Sequence, residues 1–195
     1  MTVHGRYPRT LADSPVFDWP YNALPGVDQD TFVRTNIPVY SCTSDLAATG
    51  TSVAIGTRVF LRKGDVVTSL TFVSGNTAAA TLTAWAHALY DPDGTLLSQT
   101  ADQGSAAWAA NTAKKLALSE AQTIEEDGWY IAATSTTATT VQTLIGAAPI
   151  VTATAGVHTG SLALGFTFGS SLAGTFPAAA GTLTGVAKCP LVIVS

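Results

Sequence analysis

The residues in this sequence that could ligate a metal, relay a proton or attack a substrate are few. They are His4, His87 and His158, Cys42 and Cys189, and two groups of carboxylates, Asp91/Asp93 and Glu125-Glu126-Asp127. Two cysteines and three dispersed histidines give no zinc-ligand spacing. The carboxylates are the residue types of a calcium site or a glycosidase pair. Their place in Asp-Pro-Asp-Gly and Glu-Glu-Asp-Gly turns accounts for them without either chemistry. No Ser, His and acid stand in a motif for acyl transfer, and no glycine-rich phosphate loop follows a strand. His87, inside an apolar run beside Trp85, reads as a packed core histidine. The expectation is a protein that is not an enzyme and that holds no metal and no cofactor. For Cys42 and Cys189 two readings stay open: a pair of buried free thiols, as a reducing compartment favours, or a staple joining the N-terminal segment to the last strand.

The elements that would position these residues are short strands separated by turns. Between Arg58 and Thr134, runs of β-branched, aromatic and small apolar residues end at Lys63-Gly64-Asp65, Ser74-Gly75-Asn76 and Asp91-Pro92-Asp93-Gly94. Pro92 fixes φ at the second position of a tight turn, and Gly94 accepts what a side chain forbids. The expected fold is all-β: an antiparallel, jelly-roll-like β-sandwich. Val66, Leu70 and Phe72 are expected on one strand face. Thr81 to Tyr90 has two apolar faces, with Ala86, Ala88 and Tyr90 on one and Trp85, His87 and Leu89 on the other, so it should be covered on both. Leu96 to Thr100 returns as its hairpin partner. Ser105 to Leu118 keeps no helical stripe and reads as loop and strand, with a short helical turn at Leu118 to Gln122. Gly128 to Thr134 is a strand, with Trp129 and Leu70 expected in the core. Val141 to Ile145, Leu162 to Phe168 and Ala187 to Val194 supply further strands.

The net charge of −4 offers no basic surface for phosphates, so nucleic acid is not an expected partner. No run of roughly 18 apolar residues is present, so no membrane insertion is expected. The N-terminal Met-Thr-Val-His-Gly-Arg-Tyr-Pro lacks the apolar core of a signal peptide, which points to synthesis and assembly in a cytoplasm.

Residues 1–48 differ from the rest. Pro8, Pro15, Pro20, Pro25 and Pro38 oppose helices and central strands. Tyr7, Phe17, Trp19, Tyr21, Phe32 and Tyr40 are too many aromatic groups for a disordered tail. This segment reads as an extended docking arm ahead of a sandwich domain at 49–195. From Gly128 to Ala187 there is no Asp, Glu, Lys or Arg, 60 consecutive residues without formal charge. Charge keeps monomers apart, and protein-covered surfaces do without it. Val141, Leu144, Leu162, Leu164, Phe166 and Phe168 are therefore the expected oligomer interface, most simply around a threefold axis.

The segment TAWAHALYDPDGTLLSQTADQG followed by AKKLALSEAQTIEEDGWYIAAT resembles the β-sandwich proteins of tailed bacteriophage particles. It is most similar to minor tail and receptor-binding proteins of phages that infect actinobacteria, over roughly residues 55–140. In that family a strand ending in an Asp-Pro/Asp-Gly turn precedes one entered through Gly-Trp-Tyr or Gly-Tyr-Tyr. The resemblance implies a sandwich, frequent homotrimers, no catalysis and a place in the virion, among neighbouring tail or capsid proteins. It transfers no site residue. Capsid decoration is the close alternative. A carbohydrate-binding module, stacking a host surface glycan on Trp85, Trp108 or Tyr130, is another.

Overall fold

The computed structural model describes residues 32–42, 44–148 and 162–195. It is all-β and antiparallel. The strands are β1 (Arg34–Thr35), β2 (Ser44–Leu46), β3 (Ala54–Leu61), β4 (Val66–Val73), β5 (Ala84–Tyr90), β6 (Leu96–Gln99), β7 (Ala113–Thr123), β8 (Gly128–Thr137), β9 (Leu144–Ala147), β10 (Gly165–Phe168), β11 (Thr184–Gly185), β12 (Cys189–Pro190) and β13 (Val192–Val194). They form a four-stranded sheet in the order β1-β13-β4-β7, a six-stranded sheet in the order β11-β10-β3-β8-β5-β6, and a three-stranded sheet in the order β12-β9-β2. The described residues contain no α-helix, only one 3-10 turn at Val39–Ser41.

The two larger sheets enclose the main core. Leu70 and Phe72 of β4 and Val192 and Val194 of β13 meet Val59 and Leu61 of β3, Trp85 and Leu89 of β5 and Ala132 of β8. Trp108, from the loop before β7, is wholly buried in this cluster, its ring 4.8 Å from that of Trp85. The other face of the six-stranded sheet is also apolar. Ala86, Ala88, Tyr90, Ile131 and Ala133 lie under Phe166, Phe168, Phe176 and Ala180. The two apolar faces of the Ala84–Tyr90 run thus have the coverage their pattern demands, and every residue of that strand is buried. Its hairpin forms as expected. Thr95 N–H donates to the Asp91 carboxylate at 2.7 Å, and Gly94 sits at φ +87°, where a side chain would be strained.

Several expectations need correction. Trp129 is 41% exposed and not a core residue. It shares the outer face with Ile131, but near the strand end, beyond the covering layer. Val66 is exposed too, because the alternation changes phase within β4: Val67 is buried, and so are Leu70 and Phe72. The cause is non-local. Thr68 and Ser69 both donate their backbone N–H to the Ser195 carbonyl, so β4 itself bulges there, and β7 bulges beside it, Val67 pairing with Gln122 but Ser69 with Ala117. The bulge carries Leu118 to a bridge with Thr100 of the opposite sheet. No helical turn forms at 118–122, which is strand throughout.

The boundary at residue 48 also moves. β1 pairs with the C-terminal β13, and β2 pairs with β9. Asn36 donates to Thr57 Oγ1 at 2.7 Å and to the Pro190 carbonyl at 2.8 Å, and accepts from Val192 N–H at 2.9 Å. β1, Asn36 and β2 are therefore built into the sandwich and not appended to it. Both cysteines are free thiols. Burial raises the pKa of each, and Cys189 also accommodates hydrogen bonds with Thr57 and Asn36, which oppose the shift.

Candidate interaction surface

His87 is the one buried imidazole among the described residues, and its surroundings make it structural. Its ring packs on Phe72, Trp85 and Trp108 at centroid distances of 4.8, 5.9 and 5.6 Å. Nε2 lies 3.3 Å from the Lys114 carbonyl, which can only accept, so Nε2 carries the proton. Nδ1 then accepts from the Thr134 hydroxyl at 3.0 Å. Desolvation lowers its pKa to about 4, against the opposing pull of backbone hydrogen bonds. Both ring nitrogens are thus hydrogen-bonded inside the core, and the imidazole is held neutral and away from solvent.

The carboxylates are engaged in turns. Asp91 caps Thr95 N–H, and Asp127 accepts Lys63 N–H at 2.8 Å. Among the described residues no group of three His, Cys, Asp or Glu side chains is arranged to hold a metal ion. The expected stacking rings are withdrawn from solvent: Trp85, Trp108 and Tyr130 are all buried. Tyr130 donates its hydroxyl to the Glu126 carbonyl at 3.0 Å. Trp85 donates its indole N–H to the Ala106 carbonyl at 2.8 Å.

The residues read as an oligomer interface divide. Leu144 belongs to the main core and Phe166 and Phe168 to the second cluster, so these three serve their own chain. Phe166 lies flat against Gly56, where a Cβ would collide with its ring. Val141 is half-buried. Leu162 and Leu164 remain, 54% and 41% exposed. Of the residues assigned to the arm, Tyr7, Phe17, Trp19 and Tyr21 lie outside the described residues. Phe32 is half-buried against the main core. Tyr40 is exposed in the 3-10 turn.

What the structure assembles instead is a strip on the outer face of the six-stranded sheet. β3 runs between β8 and β10, and Arg58 and Phe60 point outward from it. Phe60 is paired with Trp129 of β8, their rings 5.5 Å apart at 71°. Arg58 is paired with Ile131. On the other side the Arg58 N–H donates to the Leu164 carbonyl at 3.2 Å. Leu164 and Trp129 therefore flank the Arg58–Phe60 pair.

Arg58 is only 8% exposed. Its guanidinium lies 5.4 Å from the centroid of the Phe166 ring. Its buried Nε has no hydrogen-bond partner, and burial pulls its pKa down. Sequence reading passed over Arg58. The available signal was one cation in the otherwise uncharged strand Ala54–Leu61. No protein-family model matches this chain, and no curated protein matches it in sequence.

Proposed function

We propose that this chain is a structural protein of a bacteriophage particle, placed in the tail at the tip or in a small fibre, that associates with its own copies and performs no catalysis. The observation that carries the reading is the use made of the 60-residue charge-free stretch. Part of it, through Phe166, Phe168, Phe176 and Ala180, seals the second face of the central sheet. The rest leaves Leu162 and Leu164 exposed with no ionic group near them in sequence to keep a second molecule away. A sandwich with such an edge suits assembly. The turn pattern shared with phage tail sandwiches supports the setting. The turn positions of Asp91 and Asp127, and the buried ring of His87 with both nitrogens hydrogen-bonded, support a non-catalytic role.

Mass spectrometry of purified particles produced by a phage carrying this gene tests the reading, with tails and heads separated before digestion. Peptides of this chain in the tail fraction are expected. Peptides in the head fraction alone would replace the tail placement with capsid decoration. Their absence from both fractions would overturn the virion reading.

A further inference from the structure

Two arginines of the sandwich are buried to nearly the same degree, and among the described residues only one of them is paired with an acid. Arg34, 9% exposed, grips Asp65 with Nε at 3.0 Å and Nη2 at 3.2 Å. Arg58, 8% exposed, has no ion pair among the described residues, and its Nε has no acceptor. Withholding a charge from water without a partner is costly, and the cost falls when a carboxylate arrives in the same apolar setting. Around Arg58 that setting is already present. Trp129 and Leu164 are exposed beside it, and Phe60 supports the Trp129 ring. From the strand register, Trp129 is the diagonal neighbour of Arg58, about 7 to 8 Å away and within reach of a long or aromatic side chain. A ligand for this face should carry aromatic groups and a carboxylate close together, and no cation.

The chain contains such a ligand. Residues 13–21 read Asp-Ser-Pro-Val-Phe-Asp-Trp-Pro-Tyr, with Asp18 between Phe17 and Trp19 and no Lys or Arg. Reach permits the contact. Arg34, two residues after Phe32, is tied to Asp65 in the β3–β4 turn. That turn is held to the loop before Trp129 by Lys63 N–H on Asp127. The described chain thus begins at the end of the sandwich that carries Trp129. The ten residues between Tyr21 and Phe32 can span up to about 35 Å. Prolines at positions 15 and 20 lower the entropy lost when such a segment is fixed.

We propose that the outer face formed by Arg58, Phe60 and Trp129 is the docking site for residues 13–21 of the same chain, with Asp18 as the acid that pairs with Arg58. The contact concerns the chain on its own and holds wherever in a particle it sits.

The test is a photo-crosslinker, p-benzoylphenylalanine, in place of Trp129 in the full-length chain. Crosslinked peptides are mapped by mass spectrometry across a dilution series. The expected product is an intramolecular crosslink to residues 13–21, with a yield independent of concentration. Asp18→Arg and Arg58→Asp should each lower that yield by about tenfold, as for a desolvated charge pair, and the double reversal should restore it. If Arg58→Asp unfolds the sandwich, the pair Phe17→Ala/Trp19→Ala leaves the sheet untouched and must lower the yield alone. Overturning results are a crosslink only between molecules, rising with concentration; a crosslink elsewhere or none; or a yield indifferent to Asp18.

Discussion

Trp129 stands directly opposite Phe60 across the β3–β8 ladder, on the face of the central sheet that the covering layer leaves open at that end. Trp108, by contrast, comes from an irregular loop and is completely enclosed between the two sheets. Sequence period alone ranks these two residues the wrong way round. Replacing Trp108 with Ala should destabilise the fold by about 3 to 5 kcal/mol, through lost burial and a cavity beside Trp85 and His87. Replacing Trp129 with Ala should cost about 1 kcal/mol or less. Urea midpoints of the two variants check this. Equal losses would place Trp129 in the core after all.

Stability should depend on pH through His87. In the unfolded chain the imidazole takes up a proton near pH 6.5, and in the folded chain only near 4. The neutral form is the one that folding favours. Its contribution is complete above about pH 6.5 and is lost as pH falls toward 4, because only the unfolded state gains the proton. Between pH 7 and 5 the loss should be about 2 kcal/mol at 1.36 kcal/mol per unit. The slope of unfolding free energy against pH measures it. His87→Gln should flatten that window while lowering stability overall. An unchanged slope would show that another group governs it.

The Arg34–Asp65 pair joins the first described strand to the β3–β4 turn, and Asp65 Oδ2 also accepts Arg62 N–H at 2.8 Å. Asp65→Asn removes the charge and leaves a buried guanidinium. A loss of about 3 kcal/mol is expected. In a cycle with Arg34→Met, the two losses should be less than additive, since each substitution removes the same ion pair. Additive losses from the two changes would mean that the pair contributes nothing as a pair.

Of the six residues expected at an oligomer interface, Leu162 and Leu164 are the two that are exposed. Sedimentation velocity at micromolar concentration should show a trimer for the parent chain and a shift toward monomer for Leu162→Asp. Ala121→Asp, on the exposed side of β7, is the matched control and should leave the trimer intact. Ser98 would be a poor control, because it is buried and hydrogen-bonded with Ser119 at 3.1 Å. A parent chain that sediments as a stable monomer contradicts self-association.

Much of the fold was legible because its signals are local. The Ala84–Tyr90 run announces two buried faces by having no polar one, and the Asp-Pro-Asp-Gly turn fixes the β5–β6 hairpin. What escaped depends on distant chain. Alternation says which face Trp129 occupies, but not how far the covering layer from Phe166 to Ala180 extends over that face. Val66 changes side because β4 bulges at Thr68 and Ser69, which share the Ser195 carbonyl far along the chain. Phe166 and Phe168 looked like contacts for another molecule because the loop residues that bury them, Phe176 and Ala180, follow no period. Arg34–Thr35 is too short to read as a strand and becomes one only because the chain's last residues lie beside it. Arg58 could have been singled out as a lone cation in an apolar strand. That no acid among the described residues reaches it is a fact of three dimensions.

A density map of the intact particle at a resolution that separates subunits is the most direct test of the proposed role. Into it the sandwich formed by the described residues is fitted. The predicted result is a set of copies around the tail axis, with the Leu162–Leu164 edge facing a neighbouring copy. A fit on the head lattice would make this a capsid decoration protein. No density for the sandwich anywhere in the particle would contradict the virion role.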